Sequence, residues 1–191
     1  MPARMSDPAS HDDGSPGTDL PTPALPALEL RPLRESDLPQ VARLDERAFG
    51  PGRFARTAYR LREDAPPDFS LSFVAHVGTF LVGSNIMTPV RAGDCPALLL
   101  GPLTVDPSFR SRGIAEALIR RSLAAARAAG ARLVLLVGDA PFYARTGFRP
   151  APAGHFTLPG PVDPARLLVC ELQPGALQEA RGRVTRAWRA G

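Results

Sequence analysis

Apolar and polar positions change period several times along this 191-residue chain, and those changes mark its elements. From Leu28 to Leu33 the two kinds alternate, which predicts a first strand. Leu38, Val41, Ala42, Leu44 and Ala48 then recur at helical spacing. Ser36 is placed to cap a helix starting at Asp37, with Pro39 tolerated in its first turn. Gly50-Pro51-Gly52 stops that helix, and a second, arginine-rich one is predicted over Phe54–Arg62. Ser70–Val77 and Phe80–Val90 read as two strands around a turn at Gly78-Thr79. Ala97–Val105 is a third, strongly apolar strand interrupted by Gly101-Pro102. Proline has no N–H to give a ladder, so this strand is expected to bend or splay there.

The clearest helical pattern runs from Gly113 to Ala129. Ala115, Leu118, Ile119, Ser122, Leu123 and Ala126 share one face, and Gly130 ends it. A short apolar strand, Leu133–Val137, and a short helix from Pro141 to Arg145 follow. Phe148–Pro150 and Leu167–Leu172 supply the last strand material. Strands come first in a run and then alternate with helices, so the expected fold class is α/β with a mixed sheet. Residues 28–173 form the expected domain. Residues 1–27, rich in Pro, Asp, Ser and Thr, read as a disordered tail. Residues 174–191 read as a C-terminal tail with mild helical character.

Composition narrows the chemistry. All 23 basic residues are Arg, and the formal net charge is +4. Residues 1–27 hold four Asp against a single Arg, so the positive charge belongs to the body. A basic body suits an anionic ligand, either nucleic acid or a phosphorylated cofactor. The arginines are not interleaved with aromatic residues and no reader motif is present, which disfavours nucleic acid. The two cysteines, Cys95 and Cys170, show no metal-binding spacing, so no metal is expected. No apolar run approaches the roughly 20 residues of a membrane helix, and no apolar stretch follows Arg4 as a secretory leader would require. The expectation is a soluble, cytoplasmic protein.

The segment from Val105 to Ala115 carries the sharpest signal. An apolar strand ends, a turn follows, and a helix begins at a glycine. A helix start presents unpaired N–H groups and the positive end of its dipole, which is an anion site. Gly113 lets a diphosphate approach the backbone, Ala115 keeps the next turn small, and Arg110 and Arg112 add charge. No GK[ST] follows a glycine-rich loop, and no GxGxxG is present, so neither a P-loop nor a dinucleotide fingerprint fits.

The run Leu99-Leu100-Gly101-Pro102-Leu103-Thr104-Val105-Asp106-Pro107, followed by Arg110-Ser111-Arg112-Gly113-Ile114-Ala115, resembles the acetyl-coenzyme A motif of the GNAT superfamily of N-acetyltransferases. Pro141-Phe142-Tyr143-Ala144-Arg145-Thr146-Gly147-Phe148 is similar to that family's FYxxxGF segment, one helix and one strand later. Phe49-Gly50-Pro51-Gly52-Arg53-Phe54-Ala55-Arg56 resembles a bacterial, uncharacterised subgroup. The resemblance covers about residues 28–172. It implies a splayed central strand with the coenzyme site at the next helix N-terminus. It implies acetyl-CoA as co-substrate and transfer of acetyl to a primary amine by direct attack through a tetrahedral intermediate. The N–H groups of Ser111, Arg112, Gly113, Ile114 and Ala115 would hold the pyrophosphate, and Leu103, Thr104 and Val105 the pantetheine arm. The Val105 N–H would steady the oxyanion. Tyr143 would be the general acid that protonates the departing thiolate.

A base to take the amine proton is less defined: Glu46, Asp45, His76 and Asp139 are the options, with bulk water another. His76 in a strand also suits a structural role, and Asp139 also suits a helix cap. Arg53 and Arg56, with Arg60 and Arg62 nearby, form a basic stretch that would hold an acidic group of the substrate or simply be a solvated face. The alternative to an enzyme is a catalytically silent coenzyme A-binding regulatory module of the same fold. The expected partners are a small-molecule or protein amine acceptor, with a homodimer open as an assembly, and neither nucleic acid nor membrane.

Overall fold

The structure, a computed structural model, describes residues 27–50, 57–63 and 65–187. The elements run β1 (Leu28–Pro32), α1 (Leu38–Phe49), α2 (Thr57–Arg60), β2 (Phe73–Val77), β3 (Phe80–Ala92), β4 (Cys95–Val105), α3 (Ile114–Ala128), β5 (Leu133–Val137), α4 (Ala140–Ala144), β6 (Arg149–Pro150), β7 (Phe156–Thr157), β8 (Leu167–Glu171), α5 (Ala176–Glu179) and β9 (Gly182–Arg186). The main sheet has the order β1-β2-β3-β4-β5-β8-β6. Its pairs are antiparallel except β4 with β5, which is parallel. The mixed α/β sheet expected from the order of elements is the one observed.

Alternation along the central strands sends side chains to two cores. Leu98 and Leu100 of β4, Val134 and Leu136 of β5, and Leu168 and Cys170 of β8 pack under Ile119, Leu123 and Ala126 of α3. Ala97, Leu99, Leu133, Leu135, Leu167 and Val169 point the other way, toward Leu61, Phe156, Leu177 and Val184. Toward β1 the division continues. Phe73 and Ala75 meet Ile114 and Leu118 of α3, whereas Val74 and Ile86 meet Val41 of α1. Each fully buried aliphatic side chain of this kind contributes about 1.5–3 kcal/mol. A double-sided core of this sort holds the backbone between the helices rigidly.

Three expectations are corrected by the structure. The first helix starts at Leu38, and Asp37 rather than Ser36 organises its entry. The Asp37 carboxylate accepts from Arg31 Nη1 and Nη2 at 2.7 and 2.8 Å and from the Arg34 N–H at 2.8 Å. A carboxylate serves three donors where a Ser hydroxyl could not. Of the second predicted helix, only Thr57–Arg60 is helical among the described residues. The stretch after Pro174 contains more than a helical turn: β9 pairs with β3 at Val90↔Arg186 and Ala92↔Val184, and with β7. Its only buried side chain is Val184, so alternation carried almost no apolar signal there.

Candidate active site

The central strand does splay. β4 is held by β5 only at Leu98↔Val134 and Leu99↔Leu135. Beyond that point β5 continues along β8 as far as Val137↔Leu167, while β4 continues along β3 as far as Gly83↔Val105. A wedge therefore opens in the sheet after Leu99. Pro102, without an N–H, sits at its start, as its chemistry leads one to expect.

Register decides which backbone groups face the wedge. The Asp106 N–H donates to Val82 O at 2.8 Å, flanking the Gly83↔Val105 pair. That makes the pair a non-hydrogen-bonded one. The N–H and C=O of Val105 consequently point away from β3, to the side that β5 has left. Two residues back, Leu103 does the same, and Thr104 between them bonds into the ladder.

At the end of β4 the chain turns through Asp106, whose carboxylate accepts from the Ser108 N–H at 3.0 Å. Ser111 then has φ +60° and Gly113 φ +76°, both left-handed. The left-handed to right-handed step from Gly113 into α3 turns successive N–H groups to one side, a concave arrangement suited to anions. No side chain caps the helix start. A Cβ at Gly113 would meet nothing within 4 Å, so the space outside it is open to a ligand.

Wedge, loop and helix start enclose a cavity of about 640 Å³. Leu103, Thr104 and Val105 line it from β4, Arg110, Ser111, Gly113, Ile114 and Ala115 from the loop and α3, and Tyr143 from α4. Arg112 does not join them: its guanidinium lies over the Phe109 ring, 5.2 Å from the centroid. Arg53 and Arg56 lie outside the described residues. Phe49, Phe109 and Phe142 complete the walls. Phe142 belongs to the FYxxxGF-like segment and Phe49 opens the subgroup-like run, whereas nothing in the sequence pattern separates Phe109 from an ordinary core aromatic.

Tyr143 is set by its neighbours. Its ring meets Phe142 edge-on at 4.9 Å between centroids and Phe148 at 5.9 Å. Burial pushes its phenol up to about 12, against a smaller opposite pull from the Arg62 charge. The hydroxyl therefore stays protonated at neutral pH and is available as a donor. Gly138, at the end of β5, makes room for the ring, because a Cβ there would collide with it.

The options for a base separate clearly. His76 sits in β2, with Arg31 Nη2 3.5 Å from its Nε2, away from the cavity lining. Desolvation, then the Arg31 charge, holds its imidazole below the usual value. Asp139 caps α4 by accepting from the Phe142 N–H at 3.3 Å. Glu46 is exposed. Asp45 reaches β4, where its carboxylate accepts a hydrogen bond from the Thr104 hydroxyl. Among the described residues no group of three His, Cys, Asp or Glu could hold a metal ion, and no helix is long and apolar enough to cross a membrane.

Comparison with known proteins agrees with this geometry. The family described as "Acetyltransferase (GNAT) domain" matches residues 29–151. The chain is 31% identical over 131 residues to the uncharacterized N-acetyltransferase YjhQ of Escherichia coli K12, covering 66% of this chain and 72% of that protein. It is 29% identical over 114 residues to the uncharacterized N-acetyltransferase YhbS of the same organism, covering 59% and 68%. The structure of E. coli YhbS in complex with CoA superposes with a TM-score of 0.73 at 26% identity, over 89% of this chain and 96% of that one. A GNAT acetyltransferase from Brucella melitensis in complex with acetyl-CoA gives 0.62 at 25% identity, over 86% and 97%. Sequence, splayed strand and helix start converge: this chain belongs to the GNAT family of acetyltransferases.

Proposed function

We propose that the protein transfers an acetyl group from acetyl-CoA to a primary amine, by direct attack through a tetrahedral intermediate. The observation that carries this reading is the single cavity lined by the open edge of β4, the start of α3 and Tyr143. The backbone N–H groups from Ser111 to Ala115 bind the coenzyme's pyrophosphate, with Arg110 adding charge. Leu103 and Val105 offer the pantetheine arm an unpaired strand edge. The Val105 N–H, turned to that edge, donates to the oxyanion as charge develops. Tyr143 gives its proton to the departing thiolate. In this reading Asp45, whose carboxylate accepts from the Thr104 hydroxyl but does not line the cavity, takes the amine proton through water. The bound acetyl-CoA of the Brucella relative supports the choice of co-substrate.

The test is direct. The full chain is incubated with acetyl-CoA and a panel of amines, and free thiol is followed. Acceptor-dependent thiol release that falls steeply in Tyr143→Phe is expected. Tight coenzyme binding with no thiol release from any amine would instead mark a silent coenzyme-binding module.

A further inference from the structure

Leu100 marks the point where the central strands part. The Met87 N–H donates to the Ser72 hydroxyl at 2.9 Å, and Met87 O accepts from the Asp68 N–H at 2.8 Å. Both backbone groups of Met87 therefore face the β2 side, which makes Met87↔Leu100 a non-hydrogen-bonded pair. The N–H and C=O of Leu100 consequently point the other way, to the side of β5. The last pair of β4 with β5 is Leu99↔Leu135, one residue earlier. A guanidinium stands where the strand leaves: Arg62 Nη2 donates to Leu100 O at 3.4 Å. Gly101 makes room for it, since a Cβ there would lie 2.7 Å from the same nitrogen.

Tyr143 reaches this region from the other face. Its ring packs against the core under α3, to which the Leu100 side chain belongs. Leu61, next to Arg62, packs in the opposite core. Burial raises the Tyr143 pKa; the Arg62 charge is the largest opposing influence and Arg166 the next, while Asp139 adds to the rise. Arg166 is exposed, with its Nε donating to Gly138 O at 3.4 Å. Arg62 is in a drier place. Burial lowers its own pKa to about 10, against the charges of Asp45, Tyr143 and Tyr59, so it remains a cation at neutral pH. Its Nε is buried with no hydrogen-bond partner among the described residues. A cation in such surroundings acts on a neighbouring charge more strongly than one in water.

We propose that Arg62 is a positioning residue for acetyl transfer: fixed on the Leu100 carbonyl where β4 and β5 part, it supplies the positive charge against which Tyr143 gives up its proton. The proposal rests on the acetyl-transfer reading above and assigns a residue to its last proton. When the tetrahedral intermediate collapses, the C–S bond breaks. The sulfur keeps the electron pair and takes the Tyr143 proton, which leaves a phenolate. Arg62 stabilises that phenolate until a proton from solvent restores the phenol.

The experiment is a double-mutant cycle on the full chain. Thiol release from acetyl-CoA is followed with primary amines from methylamine to a short peptide, and the best acceptor is taken forward. Arg62→Met should lower kcat about 10-fold, the effect of removing one nearby charge from a buried acid, and leave KM for acetyl-CoA nearly unchanged. In a Tyr143→Phe background the same change should alter kcat by less than about 2-fold, because residues acting through one another are not additive. Arg62→Lys keeps a charge but moves it, so its kcat should fall between; it serves in the same cycle if Arg62→Met does not fold. An equal loss of kcat with and without the Tyr143 hydroxyl would mean a purely structural arginine and overturns the proposal, with acetyl transfer still standing. A second readout needs no acceptor. Tyr59→Phe leaves Tyr143 as the sole tyrosine, and its phenolate absorbance is read at once after a jump to pH 12. Removing the Arg62 charge should lower that absorbance about fivefold, as a displacement of about one pH unit requires. If no amine releases thiol, the transfer reading falls and this absorbance alone judges the coupling: an unchanged value overturns it.

Discussion

The ring of Tyr143 fills the space that a side chain at position 138 would need. A Cβ built on Gly138 would overlap Cε2 of that ring and lie 2.8 Å from Cδ2. Phe142 and Phe148 pack edge-on against the same ring, so it has little room to retreat. Gly138→Ala should therefore move the phenol rather than the backbone of β5. Overpacking of this kind costs about 1–3 kcal/mol, and a displacement near 1 Å lowers kcat by as much as roughly 100-fold. Thermal unfolding and kcat at saturating acetyl-CoA measure both effects; an unaltered kcat would mean that Tyr143 does not act at the reacting atoms.

Removal of the hydroxyl itself isolates the proton. Tyr143→Phe keeps the aromatic packing and should lower kcat by roughly 100- to 10,000-fold, the usual range for a positioned acid, while coenzyme affinity stays near that of the parent. Calorimetry against single-turnover thiol release separates the two quantities.

The same residue has a pH signature. Its pKa rises from 10.0 to about 12 on folding because burial disfavours the phenolate. A raised folded value means that the fold holds the protonated form better than the unfolded chain does. The resulting stability is fully present below pH 10, and is lost as pH climbs from 10 through about 12. Phenolate absorbance should contain a component rising near pH 12 that is missing in Tyr143→Phe. A wild-type rate that falls between pH 7 and 9 through loss of the Tyr143 proton would contradict this.

Gly113 carries its cost in the backbone alone, since a Cβ there touches nothing within 4 Å but must adopt φ +76°. Gly113→Ala should lose about 1 kcal/mol of stability. Its methyl group would also stand where the diphosphate approaches, so KM for acetyl-CoA should rise well beyond what a small stability change explains. Steady-state kinetics at fixed acceptor concentration checks it.

Far from the cavity, Arg31 and Asp37 hold the entry to α1 with a two-nitrogen contact, and the Asp37 side chain is 9% exposed. The Arg31 hydrogen bonds, followed by the Arg34 N–H and the nearby charges, hold the Asp37 carboxyl below its ordinary 3.8 against the cost of burial. A depressed carboxylate contributes stability that is present above about pH 4 and is lost as pH falls through the lower folded value. Asp37→Asn should cost roughly 1–3 kcal/mol at neutral pH, with the gap narrowing below pH 4. Urea unfolding at pH 7 and pH 3 tests the sign.

Sequence and structure contribute differently to these features. Strong periodicity made α3 legible to within a residue at either end, because its buried face repeats without interruption from Ile114 to Ala126. Proline chemistry at position 102 anticipated the splay of β4. Where burial is one-sided or brief, the pattern fades. β9 buries Val184 alone and so looked like a tail. The α1 entry was misread because two acceptors, Ser36 and Asp37, stand side by side, and only the distant Arg31 chooses between them.

By itself, the amino-acid sequence determined the mixed α/β class, the anion-ready turn into α3 and the family's two motifs. These depend on neighbours within about a dozen residues, where period, turn chemistry and capping act. Tertiary structure alone decided that Arg112 turns aside onto Phe109, that Gly138 is room for Tyr143, that Asp45 meets Thr104, and that Arg62 reaches the carbonyl of Leu100. In the last two of these contacts the partners are separated by tens of residues along the chain. Their meeting is set by how two cores close on the two faces of one sheet, and no local pattern records that.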